Sequence, residues 1–241
     1  MCRTGFIILC LCLALPVLAM DFEGWLSLKS FYAEKETVVE QKISEIDQRI
    51  LYSGKDPWLY LAKATLLTIL ASNSTTPDPR LADRMIGNIN LYLAMQPNSP
   101  YGIMYKGTAL GYKAKTSLYL FDQLSLIGEA STNYDRGLKM LEGSPYEWWG
   151  RSLRGSSYAQ FPLALGKRAT AMADLLYVEA EFAKNPTLIG EAIVAFYYLG
   201  EINSSMGRLE IAKKYWRRAA ELNNGSGLSE GRKAEAKVAR N

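Results

Sequence analysis

Apolar residues return along this chain at three- and four-residue steps almost from end to end, the period of a helix with one buried face, and nowhere hold the alternation of a half-buried strand. Val39, Ile43, Ile46 and Ile50 fall at steps of 4, 3 and 4, which predicts an amphipathic helix over 33–52 closed by Gly54. Leu81, Met85, Ile89 and Leu93 mark another such face. Asp56-Pro57 reads as an N-cap followed by the proline that suits a first helical turn. The same signal returns at Ser99-Pro100, Ser144-Pro145 and Asn185-Pro186, each ahead of a helical pattern, with these prolines 43, 45 and 41 residues apart.

A period in the low forties holding two helical stretches points to stacked helical hairpins. The pairs read as 57–72 with 80–96, 100–120 with 122–142, 145–158 with 167–184, and 187–206 with 208–223. Loops at 73–78 and 159–166 absorb the excess length. Residues 225–241 open on glycines and turn rich in Ala, Glu, Lys and Arg, so they read as a polar capping helix, with a frayed end as the competing reading. The expected fold is all-α: a solenoid of about four helical repeats over 57–224, preceded by an N-terminal helix within 20–56.

The last pair carries the most detailed pattern. Phe196, Leu199 and Gly200 sit in its first helix, a turn follows at Gly207, and Ala212, Trp216 and Ala219 sit in its second. Antiparallel helices approach closely only where side chains are small, so Gly200 and Ala212 suit the crossing and Phe196 and Trp216 suit the space around it. On these residues, 192–224 resembles a tetratricopeptide repeat, with Asn203 and Asn224 where that family usually has Tyr and Pro. The resemblance implies a right-handed superhelix whose first helices line a concave face for a protein or peptide partner. One hairpin cannot bury its own apolar face, so about three or more units must stack.

Targeting and inventory narrow the chemistry. Arg3, the apolar run from Phe6 to Leu18 and the small-residue site Val17-Leu18-Ala19 read as a signal peptide over 1–19, cut after Ala19, which predicts an exported periplasmic or secreted protein. Cys2, Cys10 and Cys12 are the chain's three cysteines, and all lie inside it. Leu9 and Leu11 precede Cys10 and Cys12 where a lipoprotein signal places a small residue, and lipidation there stays open. The remaining 222 of the 241 residues hold neither Cys nor His, which removes disulfides, Cys/His metal sites, Ser-His-Asp triads and Cys-His dyads. No cofactor is expected. Gly107 and Gly111 stand four apart inside a helix and lack the strand and Lys of a phosphate loop. The formal charge of +4 falls to +3 without Arg3, too mild an excess for a nucleic-acid binder. Lys213, Lys214, Arg217 and Arg218 read as a solvated helix face.

Two clusters stand out as binding candidates. Tyr105, Tyr112 and Tyr119 recur every seven residues along one predicted helix, suited to a peptide or a small amphipathic ligand, or else to packing between repeats. Glu147, Arg151, Arg154 and Tyr158 follow at steps of 4, 3 and 4. Their arginines could grip a carboxylate or phosphate, or Glu147 and Arg151 could form an ordinary helix ion pair. Of the adjacent Trp148 and Trp149, one at least belongs to the core. The function expected first is an exported scaffold or adaptor without turnover. A ligand-binding accessory comes second, similar in architecture to the helical-repeat subunits that accompany TRAP-type uptake systems. An open groove favours the adaptor and an enclosed channel the accessory. Glycan cleavage ranks last, because it needs facing carboxylates and Glu179 and Glu181, two apart on a helix, point in different directions.

Overall fold

The computed structural model describes residues 20–28, 34–74, 76–224 and 227–240. The signal peptide read at 1–19 lies outside them. Among the described residues there are eleven α-helices and no strand. The first two, α1 (Phe22–Leu26) and α2 (Glu36–Ser53), replace the single N-terminal helix expected before residue 57. Paired helices follow: α3 (Pro57–Asn73) with α4 (Pro79–Met95), α5 (Pro100–Thr116) with α6 (Leu120–Leu141), α7 (Glu147–Gln160) with α8 (Arg168–Lys184), and α9 (Ile189–Ser205) with α10 (Leu209–Leu222). The last helix is α11 (Ser229–Ala239). Each helix from α2 onward packs on its successor, and α3, α5, α7 and α9 also touch in turn, which makes them an inner layer. No helix among the described residues is long and apolar enough to cross a membrane.

Local chemistry sets the helix starts. Asp56 caps α3 by accepting from Trp58 N at 3.0 Å, and Ser99 caps α5 by accepting from Gly102 N at 3.4 Å, with proline next in both. At the other two prolines the polar side chain makes a turn ahead of the helix. Ser144 Oγ accepts from Tyr146 N and Asn185 Oδ1 from Thr187 N, so α7 and α9 begin only at Glu147 and Ile189. The helix expected over 100–120 ends at Thr116. Leu118, Tyr119, Leu120 and Phe121, which continue its apolar pattern in the sequence, form an exposed knuckle where the chain turns into the start of α6.

Burial decides how the layers meet. α3 and α9 are apolar around most of their circumference, as a helix surrounded on several sides should be. α3 is flanked by α1, α2, α4 and α5, and α9 by α7, α8, α10 and α11. Small residues set the crossings. A Cβ on Gly200 would stand 2.3 Å from Trp216 Nε1, so the indole packs directly on the α9 backbone, with Phe196, Ala212 and Ala219 buried around it. Gly207, at φ 74°, makes the left-handed turn that brings α10 back. Gly107 plays the same part for α5 and α6, its face pressed on Ala130 O and the Tyr134 ring.

The ends of the chain fold onto the stack. α1 is a single turn, yet Trp25 is only 2 % exposed and meets Trp58, Tyr101, Tyr105 and Trp149 at ring-centroid distances of 5.9, 5.4, 5.8 and 5.5 Å. Its indole N–H donates to Thr65 Oγ1 at 2.8 Å. Aromatic pairs at these separations add to the area they bury, so this one side chain ties α3, α5 and α7 together. Trp149 is buried and Trp148 only partly so. At the other end α11 lies on α9 and α10, with Ala234 buried and Asn223 Nδ2 donating to Glu235 Oε1 at 2.7 Å. The polar tail is thus a packed helix.

Candidate functional site

Four helices of the inner layer and α11 surround a crevice. Its larger part, about 250 Å³, is lined by Thr68 and Ser72 of α3, Thr108, Tyr112 and Lys115 of α5, Tyr134 of α6, Ser157 and Gln160 of α7, Tyr198 of α9, and Glu230 and Lys233 of α11. A neighbouring part of about 200 Å³ shares Thr68, Ser72, Thr108, Ser157, Gln160, Tyr198 and Glu230 with it, and adds Trp149, Leu153, Val194 and Leu228 together with Glu191. The shared walls join one polar half to one with an apolar floor.

The hydroxyls arise from small polar residues set at helical spacing in apolar helices. Thr68 and Ser72 donate at 2.9 Å to Ala64 O and Thr68 O, one turn back, which leaves their oxygen lone pairs toward the crevice. Tyr134 OH bonds Thr108 Oγ1 at 3.1 Å and Ser157 Oγ at 2.7 Å, clamping α5, α6 and α7 at the crevice wall. Burial pushes the Tyr134 hydroxyl up to about 12 against those two hydrogen bonds, so it stays protonated. Tyr112 OH accepts from Asp78 N at 2.9 Å and fixes the α3–α4 loop at the rim.

Lys115 supplies the charge. Its Nζ donates to Gln160 Oε1 at 2.7 Å, joining the ends of α5 and α7. Surrounding protein and then the charge of Lys233 lower its pKa from the ordinary lysine value, with Glu230 acting the other way. Lys115 is nevertheless an exposed residue, at the edge of the crevice. Lys233 lies 3.8 Å from Glu230. Two ammonium groups face one carboxylate in the larger half, an arrangement that an added anion relieves.

The tyrosines expected on one stripe separate. Tyr105 is core, packed on Trp25 and Trp149, its hydroxyl pushed up to about 12 by burial. Tyr112 lines the crevice. Tyr119 leaves the helix and is 71 % exposed in the knuckle, because α5 has already ended. The seven-residue spacing therefore spans three environments.

Glu147, Arg151, Arg154 and Tyr158 do share one face of α7, and the anion their arginines hold belongs to the next helix. Asp174 of α8, 1 % exposed, takes Arg154 Nε at 2.7 Å and Nη2 at 2.9 Å, and Arg151 Nη1 at 3.0 Å. Arg151 also donates to Glu147 Oε1 at 2.7 Å and lies over the Tyr177 ring. Arg154 Nη1 and Tyr158 OH reach Asp135 Oδ1 of α6 at 2.8 and 2.9 Å. Burial works to lower both arginine pKa values, but Glu147 and then Asp174 for Arg151, and Asp174 and then Asp135 for Arg154, outweigh it and hold both above the ordinary value. The network fastens α6, α7 and α8.

Sequence reasoning missed both Asp174 and the crevice. Asp174 had a signal, since it continues the apolar stripe of Ala171, Leu175 and Val178, where a lone acid needs a partner. Thr65, Thr68 and Ser72 form a polar stripe in the otherwise apolar α3, and Thr108, Tyr112 and Lys115 form another in α5. Glu179 pairs with Arg218 and Tyr215, and Glu181 with Lys184. Among the described residues no cluster of His, Cys, Asp and Glu is placed to hold a metal ion. No protein-family model matches the chain, and no curated protein or solved structure matches it.

Proposed function

We propose that this is an exported helical-repeat protein, with four tetratricopeptide-like hairpins over α3 to α10, that binds a small amphipathic solute carrying an anionic group. The observation that carries this reading is the half-open crevice between the inner layer and α11, polar and lysine-bearing in one half and apolar in the other. A right-handed superhelix of such hairpins would offer an open concave groove, but here α11 lies against α9 and narrows the space beside the inner layer to a size suited to a small molecule. The anion would sit by Lys115 and Lys233, donors on the ligand would meet the hydroxyl oxygens, and its apolar part would lie on Trp149, Leu153 and Val194. Capture, without turnover, fits an accessory to a solute uptake system.

Titrating the purified chain with small amphipathic carboxylates and their neutral amides tests this. At a hundred times its dissociation constant a true ligand stabilises by about 2.7 kcal/mol, easily seen in a melting curve. Lys115→Gln should weaken the carboxylates about tenfold or more and leave the fold intact. Anion binding needs the Lys115 ammonium, so affinity should fall as pH rises through the pKa of this group, which lies below the ordinary lysine value. Equal binding of acid and amide, or of parent and Lys115→Gln, would refute the assignment.

One observation favours the adaptor reading as a second function. The knuckle exposes Leu118 at 91 % and Phe121 at 87 %, with Tyr119 and Leu120 between them, a contiguous apolar patch of the kind that marks a docking surface. Changing Leu118 and Phe121 to Ser should leave the melting temperature within about a degree or two, since neither packs on the core, and should abolish any self-association or partner binding seen with the parent. A large drop in stability would show the knuckle to be structural.

A further inference from the structure

The backbone nitrogen of Met20 lies 2.9 Å from Asp56 Oδ2. The Met20 side chain is buried, and the other Asp56 oxygen is already used as the cap of α3, accepting from Trp58 N at 3.0 Å. A carboxylate aimed at a single backbone N–H so close to a helix start is well matched to more than an amide. An amide nitrogen offers one neutral donor there, whereas a chain terminus offers an ammonium with a full charge. The small-residue site Val17-Leu18-Ala19 ends one bond upstream.

We propose that cleavage of the Ala19–Met20 bond creates a structural ion pair, in which the α-ammonium of Met20 docks on Asp56 and locks α1 across the inner layer. The step is a hydrolysis by a membrane-bound signal peptidase. One water adds across the peptide bond, Ala19 keeps the new carboxylate, and the Met20 nitrogen leaves as an amine that takes up a proton at neutral pH. The inference rests on the export reading above. It gives the short α1 what its length cannot, since a single turn does not hold itself in water. Asp21, the next residue, caps the same turn by accepting from Gly24 N at 2.8 Å, so the ammonium and the cap together set where Trp25 enters the aromatic cluster.

The test begins with the full chain in a secreting host, followed by intact mass and N-terminal sequencing of the product. The mature chain is then compared with a form carrying Gly-Ser ahead of Met20, with Asp56→Asn, and with both changes together. Asp56→Asn keeps a side-chain oxygen for Trp58 N and so removes the charge without removing the cap. The expected product begins at Met20. The extension and Asp56→Asn should each raise the unfolding equilibrium constant about three- to tenfold at neutral pH, and the pair together little more than either alone. A secreted product beginning elsewhere would overturn the Met20 start and with it the ion pair, whereas a chain retained uncleaved in the cell would overturn the export reading as well. A Met20 start with no effect of the extension, or with additive effects, would overturn the ion pair alone. Solute binding is read separately through Lys115.

Discussion

Replacing Gly200 by Leu should destabilise the protein by about 3 kcal/mol, which for a chain of this size lowers the melting temperature by roughly 6 to 12 °C. Alanine alone would already place Cβ 2.3 Å from the Trp216 indole nitrogen and 2.4 Å from Cδ1. The indole is 2 % exposed and closed in by Phe196, Ala212 and Ala219, so it has nowhere to retreat, and the α9–α10 crossing must open. Adding Trp216→Ala to Gly200→Leu should restore part of the loss, because the large side chain moves from one helix to the other. Strong non-additivity in that cycle is the signature of direct contact. A melting temperature unchanged by Gly200→Leu would mean that the crossing is not as close as described.

Asp174→Asn should destabilise by a comparable amount, about 3 kcal/mol. Breaking a buried ion pair by removing one partner costs about 3 to 5 kcal/mol, because the other charge stays behind. The lower end applies here, since Arg151 and Arg154 keep 24 and 15 % of their side-chain surface and retain Glu147 and Asp135 as second partners. Changing Arg151 and Arg154 to Met together with Asp174→Leu should recover most of the loss, since a well-packed apolar trio substitutes for a buried ionic one. Equilibrium denaturation of the three proteins decides it. An Asp174→Asn protein as stable as the parent would show that the two arginines find other anions easily, and would restore them as candidates for an outside ligand.

The close crossing of α9 and α10 was legible because everything it needs lies within one stretch: Gly200, a glycine turn, and Trp216. The caps at Asp56 and Ser99 were legible for the same reason. At Ser144 and Asn185 the same dipeptide pattern made a turn instead, a distinction that depends on backbone direction and leaves no mark on residue type. The end of α5 was misplaced because Leu118 to Phe121 look like core, and only the solvent on all sides of them says otherwise. The crevice stayed hidden because Lys115 stands on α5 and Lys233 on α11, and the two face one crevice only after α11 folds back. α1 carried no period at all, since five residues are too few to show one.

The position of Trp25 alters what kind of folding reaction this chain undergoes. A linear array of hairpins touches only its neighbours, so it can unravel unit by unit from either end. Here the leading segment bonds across the array, as when Tyr146 donates to Glu23 over 123 residues of sequence. Contacts of that span raise contact order, which slows folding and couples distant parts into one transition. A chain that emerges amino terminus first must therefore carry Phe22 and Trp25 unsatisfied until α7 has followed. Its first three helix pairs should then melt together, in a single cooperative step, with α9 to α11 as the part able to loosen separately.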